Sequence, residues 1–303
     1  MGVLGVQVVS GAGSDEVASR LREHDRSGSL AVTVVDRPGF AALVIAVPGS
    51  GIDEITADIV LDASEPLATQ ADRLWVDRIG PFARVMTAAT TAQPGPPALH
   101  DHDPQLLVTA QRLLTRLRDE LIRRGLDDGR WTYDHIGSTA VPGLQAKQFV
   151  DLQIGAVPLP GEGSAADQVL AAAGFRTVTG ARPDSPGVYW DGVKDPELAP
   201  AEAYRKRLFF RPDPAQPAIL HVRQLGAPWW SYTVQFRDWL RASPAGRRGY
   251  EQAKQRAAAA HARDADFDGY TRAKAAFFDQ AQAEYEQAAQ PGRRDGARPG
   301  LGT

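Results

Sequence analysis

Apolar positions along the chain recur with two different periods, and the places where the period changes divide it into elements. β-Branched runs at Val3 to Val9, Ala31 to Val35, Ala41 to Val47 and Ala57 to Leu61 predict strands, whereas Ser14 to His24 and Pro66 to Val85 fit helical spacing. Further on, Asp103 and Pro104 suit an N-cap and first helical position. Leu106, Leu107, Ala110, Leu113, Leu114, Leu117 and Leu121 then form one stripe through to Arg124, with Gly125 as the stop signal. Tyr133 to Ile136 reads as a short strand, Gly137 and Ser138 as a tight turn, and Pro142 and Gly143 as an irregular arm into a second apolar strand around Asp151. Asp167 to Ala173 fits a helix ended by Gly174, and a strand begins at Phe175. Strands follow at Lys206 to Arg211 and Ala218 to Gln224, split by the turn PDPAQP. Helices are expected at Tyr232 to Leu240, Arg247 to Ala262 and Phe267 to Ala289.

This order predicts an α/β (α+β) protein: a small N-terminal α/β domain, then a mixed sheet with flanking helices. The stretch AATTAQPGPPALH lacks periodicity and reads as a linker at 88–100, which places the first domain at 1–87 and the second at 101–290. Residues 291–303, PGRRDGARPGLGT, have nothing to bury and are expected to be disordered.

Composition narrows the functional classes. At 303 residues with 43% apolar content the chain can build globular cores, and it contains no cysteine and therefore no disulfide or thiolate metal site. No run of about 18 apolar residues is present, so no membrane span is expected. The start, MGVLGVQVV, lacks the flanks of a signal peptide, and a cytoplasmic location is the simplest expectation. A net charge of −3 argues against general nucleic-acid binding while permitting a local basic pocket.

The chemistry concentrates at HIGSTAVPGLQAKQFVDLQI, residues 135–154. A Gly-Ser pair at a strand end lets backbone amides approach a phosphate, and an acid on the adjacent strand can hold Mg²⁺ against it. Ser138 can orient a phosphate or cap the turn. Asp151 interrupts an apolar strand, as either a ligand or a paired buried acid. Gln153 shares its face, because strand side chains alternate, and can hydrogen-bond a ligand but not supply a second negative charge. Lys147 can neutralise phosphate charge. His135 and His221 suit either a core or a pocket position. Arg205, Lys206, Arg207 and Arg211 form a basic cluster around a strand, with Arg205, Arg207 and Phe209 on one face, as either a solvated surface or a phosphate clamp. Trp229 and Trp230 are expected to cover the core.

HIGSTAVPGL, Lys147, Asp151, ILHV at 219–222, FRDWLRASP at 236–244, and Tyr270, Lys274 and Phe277 resemble the GrpB family over roughly residues 101–290. That resemblance implies a nucleotidyltransferase-like fold, and a site in which Gly137 and Ser138 cradle phosphate, Asp151 holds Mg²⁺ as metal ligand and catalytic acid, and Lys147 and Arg207 balance charge. It also implies basic positions at Arg237, Lys254 and Lys274. One departure stands out: active nucleotidyltransferases carry two acids at alternate positions of the second strand, and here Asp151 is followed by Gln153.

The stretch ADIVLDASEPLATQADRLWVDRIGPF, residues 57–82, resembles the end of dephospho-coenzyme A kinases, which in actinobacteria are often fused to a C-terminal GrpB domain. The resemblance implies such a fusion with a shortened kinase portion. SGAGSDEVASRLREH follows a strand and opens a helix, yet the Gly-Lys-Ser/Thr of a P-loop is missing, and Asp15 and Glu16 stand where positive charge is needed. Kinase activity is not expected. The expected partner is a nucleotide or other phosphate-containing small molecule, with nucleotidyl transfer the implied reaction. The alternative is a non-catalytic interaction module tied to coenzyme A biosynthesis and binding a protein partner.

Overall fold

The computed structural model describes residues 3–53, 55–88, 98–179, 187–192, 199–264 and 268–289. Residues 89–97 of the expected linker, Phe267 of the expected last helix and the expected tail at 291–303 lie outside the described residues.

The first lobe is a parallel sheet. Strands β1 (Leu4–Val9), β2 (Leu30–Val35), β3 (Leu43–Ala46) and β4 (Ile59–Val60) lie in the order β2-β1-β3-β4, and every pairing is parallel. β3, the sequence LVIA, is buried throughout, as parallel strands with both faces covered require. Helix α1 (Ser14–His24) begins directly after the glycine turn at Gly11 to Gly13 and carries Asp15 and Glu16 in its first turn. The expected helix at 66–85 is present in three parts: α2 (Leu67–Leu74), a π-helical turn (Trp75–Ile79) and α3 (Gly80–Thr87).

The second lobe opens with α4 (Gln105–Arg123). Its stripe of Leu106, Ala110, Leu113, Leu114, Leu117 and Leu121 is buried as the spacing predicts. Each such leucine removed from water stabilises the fold by about 1.5–3 kcal/mol. Strands β5 (Thr132–Ile136), β6 (Val150–Ala156), β7 (Arg176–Thr177), β8 (Lys206–Arg211) and β9 (Ala218–Gln224) form a mixed sheet in the order β5-β6-β9-β8-β7. The β6–β9 pair is parallel and the other pairs are antiparallel. One face packs on α4 and α5 (Ala165–Ala172) through Val150, Leu152, Ile154, Phe209, Leu220 and Val222. At the far end, α6 (Pro228–Ala242), α7 (Pro244–Ala260), α8 (Asp268–Gln280) and α9 (Gln282–Ala289) gather around Phe236, Tyr250 and Tyr285.

A buried ionic network joins the lobes. Asp58, after β3, receives Arg112 at 3.2 Å and Arg116 at 2.9 Å from α4. Arg78 of the π-helical turn meets Asp213 at 2.6 Å, and Arg211 meets the same carboxylate at 2.6 Å while donating to the Ala42 carbonyl at 2.7 Å. Burial alone would raise the Asp58 carboxyl; Arg116, Arg211 and Arg112 together hold it below its usual range. Gly174, with φ of 86°, sits where a Cβ would come within 2.6 Å of the Phe82 ring, so glycine permits this close approach of the lobes.

Candidate functional site

Strand register decides which side chains meet. Ile136 pairs with Asp151 and Asp134 with Gln153; on the other side Gln153 pairs with His221, and Lys206 with Arg223. Directly paired residues share a sheet face, so Asp134, Asp151, Gln153, His221, Arg223 and Lys206 all lie on the face away from α4 and α5.

Gly137 ends β5 with φ of 71°, in the left-handed region, and a Cβ there would lie 2.8 Å from the Asp151 Cβ and 2.9 Å from its Cγ. The carboxylate therefore rests directly against the Gly137 backbone, a contact only glycine allows. Ser138 begins a 3₁₀ turn (Ser138–Ala140) whose start has no side-chain cap. Its hydroxyl instead hydrogen bonds the phenol of Tyr250, which burial drives above its usual range.

Lys147, on the arm before β6, and Lys274 of α8 both point at the Tyr270 ring, with ammonium groups 5.4 Å and 5.5 Å from its centroid. Lys147 also lies 5.5 Å from the Phe149 centroid. Burial, then repulsion by Lys274, lowers the Lys147 ammonium to about 8 although Asp151 works the other way. Lys254 of α7 is buried, donates to the Gln145 carbonyl, and is lowered by burial to about 7.

Asp151 remains partly exposed. Its surroundings are low enough in dielectric that burial raises its carboxyl, against the pull of Lys274, Lys147, Arg223 and Lys206.

The remaining polar groups on this face are bonded to one another. Arg223 forms a bidentate pair with Asp191 at 2.7 and 3.0 Å, and Lys206 reaches the same acid at 3.0 Å. Burial opposes ionisation of Asp191, but Arg223 and Lys206 bring it down to about 2. His221 Nδ1 lies 3.2 Å from Lys206 Nζ and 3.4 Å from Arg223 Nη2. Both neighbours carry only donors, so Nδ1 accepts and the ring proton resides on Nε2. Burial, then those two cations, holds this imidazole neutral well below its usual value.

Three expected ligand residues have other work. Gln153 is fully buried; its Oε1 accepts from Arg223 at 2.6 Å and from Thr233 at 2.8 Å, and its Nε2 donates to the Trp230 carbonyl at 3.0 Å. It positions Arg223 and α6, and its full burial keeps it out of reach of a ligand. His135 pairs with Leu152, one residue out of phase with Asp151, so its ring faces away from the site, bonds Thr139 at 3.0 Å, and is pushed by burial down to about 3. Arg207 pairs with Val222 and likewise faces α5, where it forms a bidentate ion pair with Asp167 and covers the Phe209 ring at 4.9 Å. The phosphate-clamp expectation for Arg207 is corrected accordingly: its neighbour Lys206 is the cation that faces Asp151.

Gly137, Ser138, Lys147, Asp151 and His221 stand together on the site side. Lys254 and Lys274 reach it, whereas Arg237 is taken up by Asp134 at 3.3 Å and the His135 carbonyl at 2.9 Å. Sequence reasoning placed Lys206 in a basic cluster without choosing it for the site, and missed Arg223, Asp191, Tyr250 and Tyr270 as site residues. Arg223 had a legible signal, because it follows His221 by two on a strand whose alternate positions Leu220 and Val222 are apolar.

The donor set does not suit a resident metal ion. Among the described residues no group of three or more His, Asp or Glu converges as a metal site. Asp151 is ringed by four cations, each of which would repel a bound divalent ion; a unit pair at about 5 Å is worth ~3 kcal/mol at an effective dielectric of ~20.

Residues 96–284 match the family model described as GrpB protein. Curated relatives include a dephospho-CoA kinase of Mycobacterium leprae, 33% identical over 218 residues, which is 66% of this chain and 50% of that protein. A UPF0157 protein of Deinococcus radiodurans is 37% identical over 145 residues, 48% of this chain and 62% of that protein. The chain thus spans half, or somewhat more, of the length of these relatives. The crystal structure of conserved protein GrpB from Enterococcus faecalis aligns with a TM-score of 0.43 and 19% identity, covering 63% of this chain and 98% of that one. The first-lobe similarity is to a dephospho-CoA kinase, as in a kinase-GrpB fusion. The family model covers more than half of the sequence and includes the strand, the glycine turn and the lysines just described, and the chain belongs to the GrpB family.

Proposed function

We propose that the second lobe binds a nucleotide or other phosphate-containing small molecule on the Asp151 face, as a cytoplasmic protein. The observation that carries this reading is electrostatic: Lys147, Lys274, Lys206 and Arg223 all bear on Asp151, whose carboxylate rests against the left-handed Gly137 at the end of β5. A cluster of half-buried and buried cations is costly to fold without anions to receive, which is the balance expected of an anion-binding surface. Asp151 is the group positioned to accept a hydroxyl proton from such a ligand, and nucleotidyl transfer is the reaction the family resemblance suggests for it. Phosphate transfer from ATP in the first lobe is not proposed: the Gly11 to Gly13 turn leads into Asp15 and Glu16, with no lysine or Mg²⁺-binding hydroxyl in P-loop register.

A thermal-shift panel of nucleotides and coenzyme A precursors, with and without Mg²⁺, tests the reading. A ligand at about 100 times its dissociation constant adds about 2.7 kcal/mol of stability. A flat response across the panel would count against it.

A second reading draws on the likeness of the first lobe to a dephospho-CoA kinase. In it the chain is a non-catalytic partner of coenzyme A biosynthesis. Co-purification with an active dephospho-CoA kinase, and a change in that kinase's rate on addition of the chain, would favour it over ligand binding.

A further inference from the structure

The Asp151 face carries more than a place for phosphate; its charge pattern specifies how the phosphate is held. In a two-acid strand the second carboxylate attracts a cation, and the cation in turn holds the phosphate. Here the second position is Gln153, and all three of its hydrogen bonds go to Arg223, Thr233 and the Trp230 carbonyl. Asp134, the acid across the strand pair from Gln153, is held by Arg237, and Asp191 is held by Arg223 and Lys206. The ammonium groups of Lys147 and Lys274 converge on the Tyr270 ring next to the remaining carboxylate. Among the described residues four cations, Lys147, Lys206, Lys274 and Arg223, bear on Asp151, with Asp191 as the second carboxylate on this face, so positive charge predominates around Asp151.

Resting on the phosphate-binding reading above, we propose that this pocket takes its ligand without a resident metal ion: Lys147 and Lys274 occupy the role a divalent cation would fill, and the ligand is a phosphate ester or diphosphate carrying two or three negative charges. Lys254, hydrogen-bonded to the Gln145 carbonyl, is a further cation near Asp151, with Glu251 beside it as a counter-charge. Asp151 then spaces the two ammonium groups and does not coordinate a metal. This arrangement inverts the usual consequence of removing the acid. If a metal bridged acid and phosphate, losing the acid would abolish binding. With ammonium groups in direct contact, losing the acid removes a repulsive charge.

The experiment is isothermal titration of inorganic pyrophosphate into the full chain, in EDTA and in Mg²⁺, for the wild type, Asp151→Asn, Lys147→Ala and Lys274→Met. Binding of Mn²⁺ alone is followed in parallel by water-proton relaxation. The expected result is similar pyrophosphate affinity in both buffers, equal or tighter binding by Asp151→Asn, about tenfold or greater weakening by each lysine variant, and no stoichiometric Mn²⁺ site. Lys147→Arg should restore part of the affinity. Pyrophosphate binding that requires Mg²⁺ and is lost in Asp151→Asn would overturn the metal-free inference while leaving the phosphate reading intact. Absence of pyrophosphate binding in both buffers would overturn both, so the two failures are distinguishable.

Discussion

Asp151 is a half-buried carboxylate whose folded environment disfavours its charge, and this has a signed consequence for stability. Its folded value lies above its ordinary one, so near neutral pH the ionised side chain opposes folding. Asp151→Asn should therefore raise the thermal midpoint, by roughly 1–3 °C, in a calorimetric scan at pH 7; a drop of several degrees would mean that the acid is a structural partner of the lysines. The lysines give the opposite signature with pH. Lys147 and Lys206 lie near 8 and Lys254 near 7, all lowered first by burial from 10.5. Between about pH 8 and 10.5 the unfolded chain binds more protons than the folded one, so these groups make stability rise with pH over that window. Over the same window the pocket loses positive charge, and pyrophosphate affinity should fall by about tenfold or more from pH 7 to pH 9.5 in titration calorimetry. Much of this chemistry was legible in residues 135–154: the glycine turn, Lys147 and Asp151 are where the pattern puts them. The choice of Arg207 over Lys206 was not legible. The two are adjacent in the run Arg205-Lys206-Arg207, and only the pairing of β8 with β9 determines which of them points towards Asp151.

At the scale of elements, long periodic segments and the bounds of α1 were read correctly, whereas the starts of α6 and α7 were not. The stripe of α4 is buried as its spacing requires, whereas α6 begins at Pro228 and α7 at Pro244, earlier than apolar spacing alone placed them. The signal for α7 lay in chemistry that a periodicity count ignores. Ser243 precedes a proline at the first helical position, and its hydroxyl accepts from the Gly246 amide at 3.0 Å. Ser243→Ala should cost about 1 kcal/mol, measured as a shift in denaturant midpoint at unchanged slope. Because α7 carries Tyr250 and Lys254 into the pocket, the same variant should also weaken pyrophosphate binding slightly. Trp229 covers the core as expected, stacked on Phe278 at 5.0 Å, while the Trp230 indole donates to Thr132 at 2.8 Å.

For the whole molecule, the network of Asp58, Arg78, Arg112, Arg116, Arg211 and Asp213 couples two sheets that each have their own apolar cluster. Removing one partner of a buried ion pair strands the others, at about 3–5 kcal/mol. Asp58→Ala leaves Arg112 and Arg116 without their shared carboxylate and should lower stability by that amount, read from chemical denaturation. The wild type should unfold in one calorimetric transition, while Asp58→Ala separates it into two. No sequence pattern announced this network, since its members lie far apart along the chain and only the folded sheets bring them together.

The Arg211 guanidinium, fully buried between the Asp213 carboxylate, the Ala42 carbonyl and the Phe82 ring, also sets how the chain answers a mechanical load. A bond that spans two sheets loads them in parallel, so tension applied at the ends cannot peel the parallel sheet away while the mixed sheet stays intact. Optical-tweezer extension should show one rupture event rather than a staircase. Any strain strong enough to extract the first lobe must break the Arg211 contacts to the Ala42 carbonyl and the Phe82 ring.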